Sequence, residues 1–199
     1  GSLMANSTSI TYRLKRKILT FTNKISRRLP KPDRKFTADM VYGILASKSC
    51  LLTDISDQLH ETARKANTVK RLSNHLSGGV PASMRSSYLH TVKCLAPSDP
   101  VVLIDDSDVI KPDGKQFEAL GIVRDGSEST QTKSVYKKGY HVTEACALTA
   151  SRHPVSIFSR IHSSAEKDFK SVNTITFDAV KQAVALLGKA TFVMDRGYD

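Results

Sequence analysis

Two acidic motifs follow the two most apolar stretches in the second half of the chain. The first is IDDSD, in which Asp105, Asp106 and Asp108 follow the apolar run 101–104. The second is DRGYD at 195–199, which follows the run TFVM. Clustered carboxylates do not all remain ionised in a poorly solvated place without a compensating cation, and Mg²⁺ prefers oxygen ligands. A pair of such ions activates an attacking oxygen and stabilises the leaving one in phosphodiester chemistry.

The metal-site interpretation depends on where the two motifs lie relative to each other. Either motif alone also fits an ordinary strand end, because Asp and Gly are common in turns. If the two strands are parallel neighbours, their carboxyl ends meet at one edge of the sheet, where ligand sites of α/β folds occur. We therefore expect Asp106 and Asp195 to share a cation if the strands are adjacent.

The elements that would position these acids predict a mixed α+β fold in the second half of the chain. The strand order along the sequence is β-β-β-α-β, and the polar, Gly-, Ser- and Thr-rich segment 111–138 is interpreted as a long loop. The segments 139–150 and 154–163 are joined at the turn SRHP and predict an antiparallel hairpin. The predicted strands are 101–105, 139–150, 154–163 and 191–194, with a helix at 171–188.

The first part of the chain, to about residue 96, predicts an all-helical region. Apolar residues three or four apart indicate a helix over 10–29, which Pro30 and Pro32 would end. Further helices are expected from Thr37 or Asp39, from Thr53 or Asp54, from Asn67, and over the segment SSYLHTVKCLA. Two short helices joined tightly and followed by a basic helix suit a helix-turn-helix, but a helical bundle that does not contact DNA has the same pattern.

The net charge of +11 lies mainly at the front of the chain. Residues 1–36 hold ten Lys and Arg against one Asp, whereas residues 101–199 hold thirteen of each sign. Such an asymmetry is typical of a segment that meets phosphates, although a solvated basic tail has the same composition. The candidate DNA-binding residues are Arg13, Lys15, Arg16, Lys17, Arg27, Arg28, Lys70 and Arg71.

Two further features narrow the class of protein. Cys50, Cys94 and Cys146 are widely spaced and lack a CxxC pair, so neither a zinc site nor a disulfide framework is indicated. No apolar stretch approaches the roughly 20 residues that cross a bilayer, so we expect a cytoplasmic protein.

The motifs VLIDDSD and FVMDRGYD, in this strand order, resemble the cut-and-paste DDE transposases of bacterial insertion sequences. The resemblance covers roughly residues 97–199 and is weaker in the helical front. It implies an RNase H-like catalytic domain, here represented by its N-terminal part at 97–199. In this domain we expect the first three strands to be antiparallel neighbours and the last strand to pair parallel to the first. It also implies a helical DNA-binding region at 1–96, whose residues 1–36 form a basic arm. We expect most of the DNA affinity to reside in the whole region 1–96.

The resemblance assigns the family's first two acidic positions. Asp106 corresponds to the first, because the family favours an Asp followed by Ser or Thr, as in Asp106-Ser107; Asp105 is the reserve candidate. Asp195 corresponds to the second, in the family's Asp-Arg-Gly context, and Arg196 is a candidate phosphate contact. Both acids would be catalytic and would bind two Mg²⁺ or Mn²⁺ ions in the complete site. Further candidates for phosphate contacts are Lys133, Lys137 and Lys138.

The sequence departs from the family after Asp195, where no Glu follows. In the family a glutamate on a later helix completes the site, so we expect this chain to be a fragment that is inactive by itself. The complete enzyme would cleave DNA and transfer strands as a dimer on double-stranded DNA, at terminal inverted repeats and a target site. Its expected location is the bacterial cytoplasm, associated with the nucleoid.

Two alternatives come from other classes of protein. Asp106-x-Asp108 after an apolar strand also resembles the first motif of haloacid dehalogenase-like phosphatases, and Asp195 with Asp199 resembles their late acidic motif. That fold would continue with helices and parallel strands. A non-catalytic helix-turn-helix regulator of DNA is the second alternative.

Overall fold

The computed structural model describes residues 2–114, 117–125 and 127–195, with side chains from residue 9 onward. It is a mixed α+β structure whose helical N-terminal part precedes a mixed sheet. The chain divides into two compact units, the helical unit Gly1–Tyr88 and the sheet unit Leu89–Asp199. The division falls within a helix, before the boundary expected near residue 96. No helix in the described part of the chain is both long and apolar enough to span a membrane.

In the described part of the chain, five helices precede the first strand. They are α1 Ser2–Ser26, α2 Lys31–Ser47, α3 Leu52–Leu59, α4 Lys65–Ser77 and α5 Ala82–Leu95. The apolar stripe predicted for α1 is buried only in its second half: Ile18 and Ile25 are buried, whereas Ile10 is 64 % exposed. The small polar side chains of Thr22 and Ser26 complete this contact surface by bonding to carbonyl groups of their own helix.

The start of α2 differs from the prediction. The helix begins at Lys31, so Pro32 lies in its first turn, where its lack of an N–H donor costs nothing. Thr37 and Asp39, the expected start, lie inside the helix, where the Thr37 hydroxyl donates to the carbonyl of Asp33 at 2.8 Å. Pro32, which was expected only to end the first helix, therefore lies in the first turn of the second helix.

Helices α2 and α3 approach closely because Gly43 has no side chain. A Cβ atom at Gly43 would clash with the side chain of Ile55, which is completely buried. Helix α4 adds Leu72, also completely buried, to the core of the helical unit. Helices α3 and α4 are in contact with each other and are joined by residues 60–64.

The sheet unit has five described strands in one mixed sheet. They are β1 Val101–Ile110, β2 Gly121–Arg124, β3 Tyr136–Leu148, β4 Pro154–His162 and β5 Thr191–Met194. Strand β3 is antiparallel to β1, β4 is antiparallel to β3, and β5 is parallel to β1, which are the pairings expected from the sequence.

Strand β2 was missed in the sequence, and so the predicted order β-β-β-α-β is incomplete. Residues 121–124 pair antiparallel with 136–139 of β3, inside the segment interpreted as a loop. Strands β2 and β4 pair with successive parts of β3, which turns its other edge to β1. A Cβ atom at Gly139 would clash with the backbone of Val109, so glycine permits the close approach at this junction.

One face of the sheet forms the core of this unit together with helix α6, Val172–Leu187. The buried residues alternate along the strands, as in Val102 and Ile104 of β1 and Ala145 and Ala147 of β3. Helix α6 begins at its cap Ser171, whose hydroxyl accepts from the Thr174 N–H at 3.2 Å. It presents buried Ala179 and Ala183, four residues apart, and such small side chains allow the helix to lie close to the sheet.

Candidate functional site

Asp105 and Asp106, the two candidates for the first catalytic position, lie on opposite faces of strand β1. Side chains alternate between the two faces of a strand, so Asp106 lies on the same face as the buried Val102 and Ile104. Asp105 lies on the opposite face, is exposed, and accepts a hydrogen bond from the Asp106 N–H at 3.0 Å. The structure therefore gives the two neighbours different surroundings, and Asp106 is the half-buried one.

Asp195 directly follows β5, the strand that lies parallel to β1. The last described pair in their register is Ile104 with Met194, so Asp195 follows at the edge where Asp105 and Asp106 follow Ile104. Neighbouring strands lie about 4.8 Å apart. The backbone thus brings Asp195 close to the first acidic motif in the sheet. Arg196 and Asp199 lie outside the described residues.

A chain of hydrogen bonds leads from Asp106 across two further strands. Thr143 of β3 is the register partner of Asp106, and its Oγ1 lies 2.5 Å from Asp106 Oδ1. The same Oγ1 lies 2.9 Å from Nε2 of His162, at the end of β4. Thr143 and His162 are almost completely buried, so this chain reaches from a half-buried carboxylate into the interior.

The His162 ring lies between two other rings. His141 stacks on it with a centroid distance of 5.6 Å, and Phe169 does so at 6.2 Å. His141 in turn bonds through Nδ1 to Asp108 Oδ1 at 2.7 Å. Burial lowers the pKa of His162, and the neighbouring His141 ring lowers it further, so the imidazole of His162 is neutral near pH 7.

The donors present at this edge fit Mg²⁺ or Mn²⁺ in kind. Asp106 and Asp195 offer carboxylate oxygens, and Mg²⁺ commonly takes one or two carboxylates and keeps several waters. None of the ion pairs among the described residues includes Asp106. Within the described part of the chain, no group of three or more His, Cys, Asp or Glu is arranged to hold a metal ion.

The candidate DNA-binding residues of the helical unit are mostly exposed. This holds for all the candidates on and just after α1, and for Lys70 of α4: Arg13, Lys15, Arg16, Lys17, Arg27, Arg28 and Lys70. Lys15 additionally lies over the ring of Tyr42, with its Nζ 4.9 Å from the ring centroid. Lys70 lines a shallow surface depression of α4 with Asn67 and Asn74.

Arg71 differs from these residues because it is held in an ion-pair network. Its Nη2 lies 2.7 Å from Asp39 Oδ2 and 3.0 Å from Glu61 Oε1, and it links α4 to α2. Lys35 contacts the same two carboxylates. Hydrogen bonds from Lys35 and Thr68, with the charge of Arg71, lower the pKa of Glu61 to about 2. The structure thus gives Arg71 a role in holding the helices together.

The three lysines proposed as phosphate contacts in the sheet unit also differ from one another. Lys133 and Lys138 are exposed. Lys137 forms ion pairs with Asp125 at 3.0 Å and Glu128 at 2.5 Å. The hydroxyl of Ser127 and the ammonium group of Lys137 lower the pKa of Asp125 to about 2.

The sequence interpretation missed Thr143, His162 and the pair formed by His141 and Asp108. A signal was present, because Asp106 and Asp108 have the same parity along β1 as the core residues Val102 and Ile104. In β3, the same alternation places His141 and Thr143 on the face of Ala145 and Ala147. Which of these residues meet depends on the register between strands, which alternation within one strand does not determine.

Comparison with models of known protein families and with curated proteins gives no match to this chain.

Proposed function

We propose that this chain contains the DNA-binding part and the first two catalytic carboxylates of a metal-dependent DNA transposase. The observation that carries the proposal is that Asp106 of β1 and Asp195, directly after β5, both come within two residues of Ile104 and Met194, the last pair of these adjacent parallel strands. In the proposed enzyme these acids would hold Mg²⁺ or Mn²⁺, and a glutamate outside this sequence would complete the site. The bound ions would supply charge stabilisation for phosphodiester cleavage and strand transfer.

The exposed cations of the helical unit support double-stranded DNA as the partner. Lys and Arg that neutralise phosphates release condensed counterions and so give sequence-independent affinity. Residues such as Arg13 and Lys70 are exposed, and Asn67 and Asn74 accompany Lys70 on the same surface of α4. Asn and Lys side chains commonly contact base edges in the major groove, which suits the recognition of a terminal inverted repeat.

The alternative phosphatase is less well supported. Its fold needs parallel strands beside the first one, whereas β3 lies antiparallel to β1 along most of its length. Its second acid would be Asp108, and this carboxylate is bonded to His141 at 2.7 Å. A non-catalytic regulator would explain the exposed cations, but it gives no role to Asp106 and Asp195 at one edge of the sheet.

The test is nicking of terminal-repeat DNA in the presence of Mn²⁺. The 199-residue chain should be inactive, and a version extended to include the third acid should be active. In the extended version, Asp106→Asn or Asp195→Asn should lower the nicking rate by more than the roughly 10–100-fold typical for loss of an outer-shell partner.

Asp105→Asn is the matched control, because it removes the neighbouring carboxylate from the opposite face of β1. It should leave the nicking rate nearly unchanged. Equal losses for Asp105→Asn and Asp106→Asn, or full activity of Asp195→Asn, would contradict the assignment of the site.

A further inference from the structure

The proton positions between Asp106, Thr143 and His162 follow from the chemistry of the three groups. An ionised carboxylate only accepts hydrogen bonds, whereas a threonine hydroxyl has a single hydrogen to donate. Thr143 Oγ1 therefore donates to Asp106 Oδ1, at 2.5 Å, and must accept from His162 Nε2, at 2.9 Å. His162 consequently carries its hydrogen on Nε2.

The other ring nitrogen of His162 is consistent with this tautomer. Nδ1 is buried and has no hydrogen-bond partner among the described residues. A neutral imidazole has one N–H, so a hydrogen on Nε2 leaves Nδ1 as an unprotonated acceptor. The opposite tautomer would bury an unsatisfied N–H at Nδ1 and would also leave Thr143 without a hydrogen for Asp106, which makes it the costlier arrangement.

The surroundings fix the orientation of the ring as well as its tautomer. Stacking of His162 between His141 and Phe169 restricts rotation of the imidazole. The turn after β4 is held by the Glu166 side chain, whose Oε1 accepts from the Ser163 N–H at 2.9 Å. The Nε2–H group therefore points at Thr143 without the need for a charge.

We infer that His162 is a positioning residue that acts through Thr143 to fix the Asp106 carboxylate for cation binding. Oδ1 of Asp106 is engaged by a neutral hydroxyl, which does not neutralise the carboxylate, and the hydrogen bonds of the described residues leave Oδ2 for the cation. Groups that orient metal ligands typically contribute 10–100-fold to metal affinity. The role in cation binding rests on the proposed function, whereas the direction of the hydrogen bonds does not.

The first test is nitrogen NMR of the 199-residue chain labelled with ¹⁵N-histidine. At neutral pH, Nδ1 of His162 should have the chemical shift of an unprotonated ring nitrogen, and Nε2 that of a protonated one. His162→Gln identifies the signals by their loss. The opposite tautomer, or rapid exchange between the two tautomers, would overturn the inference whatever the chain does with DNA.

The second test is the affinity of the same chain for Mn²⁺. Thr143→Val and His162→Leu should each weaken binding by about 10-fold, as expected for loss of an outer-shell partner. Thr143→Ser keeps the hydroxyl, and His162→Gln keeps an N–H donor near the position of Nε2, so both should restore most of the affinity. Amide spectra of each variant check that the sheet unit remains folded, and the two conservative variants preserve the test if His162→Leu unfolds.

Two further variants distinguish failure of the inference from failure of the proposed function. Asp106→Asn should abolish the Mn²⁺ affinity that Asp105→Asn preserves. If Asp106→Asn has no effect, or the unsubstituted protein binds no Mn²⁺, the proposed metal site is wrong. The NMR result alone then tests the direction of the hydrogen bonds between His162, Thr143 and Asp106. If Asp106→Asn weakens binding but Thr143→Val does not, the metal site stands and the positioning role of His162 is wrong.

Discussion

The two units of the molecule hold their half-buried carboxylates in opposite ways. In the helical unit, Asp39 and Glu61 lie within 3.0 Å of the guanidinium group of Arg71. In the sheet unit, Asp106 accepts from the neutral hydroxyl of Thr143, and no ion pair of the described residues includes it. The first arrangement pairs the negative charges with a cation of the fold, whereas the hydroxyl of Thr143 orients a carboxylate without neutralising it.

The difference separates a structural cluster from a candidate site. A carboxylate paired with a cation loses its attraction for a second cation, and its ion pair links the elements that carry it. A carboxylate held by a hydroxyl is oriented without being neutralised, at some cost in stability. Sites of this kind commonly trade stability for function, so substitutions in the two clusters should have different effects on folding.

The largest expected difference is in the loss of stability caused by a single substitution in each cluster. Arg71→Met should lower the free energy of unfolding of the helical unit by about 2 kcal/mol, between the values for exposed and for fully buried ion pairs. Asp106→Asn should change that of the sheet unit by less than about 0.5 kcal/mol, because an amide oxygen still accepts from Thr143 and no cation loses its partner. Hydrogen exchange of backbone amides reports on each unit separately.

Lys70→Met is the control for Arg71→Met, since it removes an exposed cation from the same helix and should be nearly neutral. A loss of stability for Asp106→Asn as large as for Arg71→Met would remove the distinction between the two clusters.

Elements with strong local signals were the part of the fold that could be predicted from the sequence. Helix α6 has an N-cap serine and ends before Gly188, and the apolar runs 101–104 and 191–194 indicated β1 and β5, although β1 continues through the acids to Ile110. The parallel pairing of β1 with β5, which was expected from the resemblance, was also confirmed. Strand β2 was missed because its four residues lie in a polar segment, where pairing with β3 rather than local preference determines its structure.

The candidate site was predictable only in part for the same reason. Asp195 directly follows β5, as expected, whereas the acids of the first motif lie inside β1, which continues to Ile110. The closeness of Asp195 to Asp105 and Asp106 followed from the pairing of β1 with β5. The contact of Thr143 with His162 joins β3 to β4 diagonally, because His162 pairs in register with His141. A β-bulge between Ala145 and Cys146 shifts that register, and the sequence carries no local sign of it.

A smaller expected effect is the pH dependence of the free energy of unfolding of the helical unit. The pKa of Glu61 is about 2 in the folded chain, lowered from 4.5. Its pairing therefore stabilises the fold fully above about pH 4.5, and this contribution is lost as the pH falls toward 2. The free energy of unfolding should fall across this window by at most about 1.4 kcal/mol per pH unit for one proton.

Glu61→Gln should flatten this slope, because the variant has no proton to take up. Asp57→Asn, which removes an exposed carboxylate paired with Lys65, is the matched control and should leave the slope almost unchanged. Hydrogen exchange measured from pH 5 to pH 2 and corrected for intrinsic rates provides the slopes. If Glu61→Gln and the unsubstituted chain have the same slope, the network does not control acid stability.

The smallest expected effect separates cations that hold the fold from cations that are free to meet DNA. Lys70 is exposed on α4, next to Arg71, which is bound in the network. If Lys70 contacts a phosphate, Lys70→Gln should reduce the log–log salt slope of DNA binding by about 0.9 and leave the stability of the helical unit unchanged.

Lys189→Gln, in the sheet unit, makes the same change in net charge and should leave the slope unaltered. Fluorescence anisotropy of labelled DNA between low and moderate salt measures both slopes. Equal changes in the two variants would mean that the chain attracts DNA through its total charge, and the surface of α4 would then have no special part in binding.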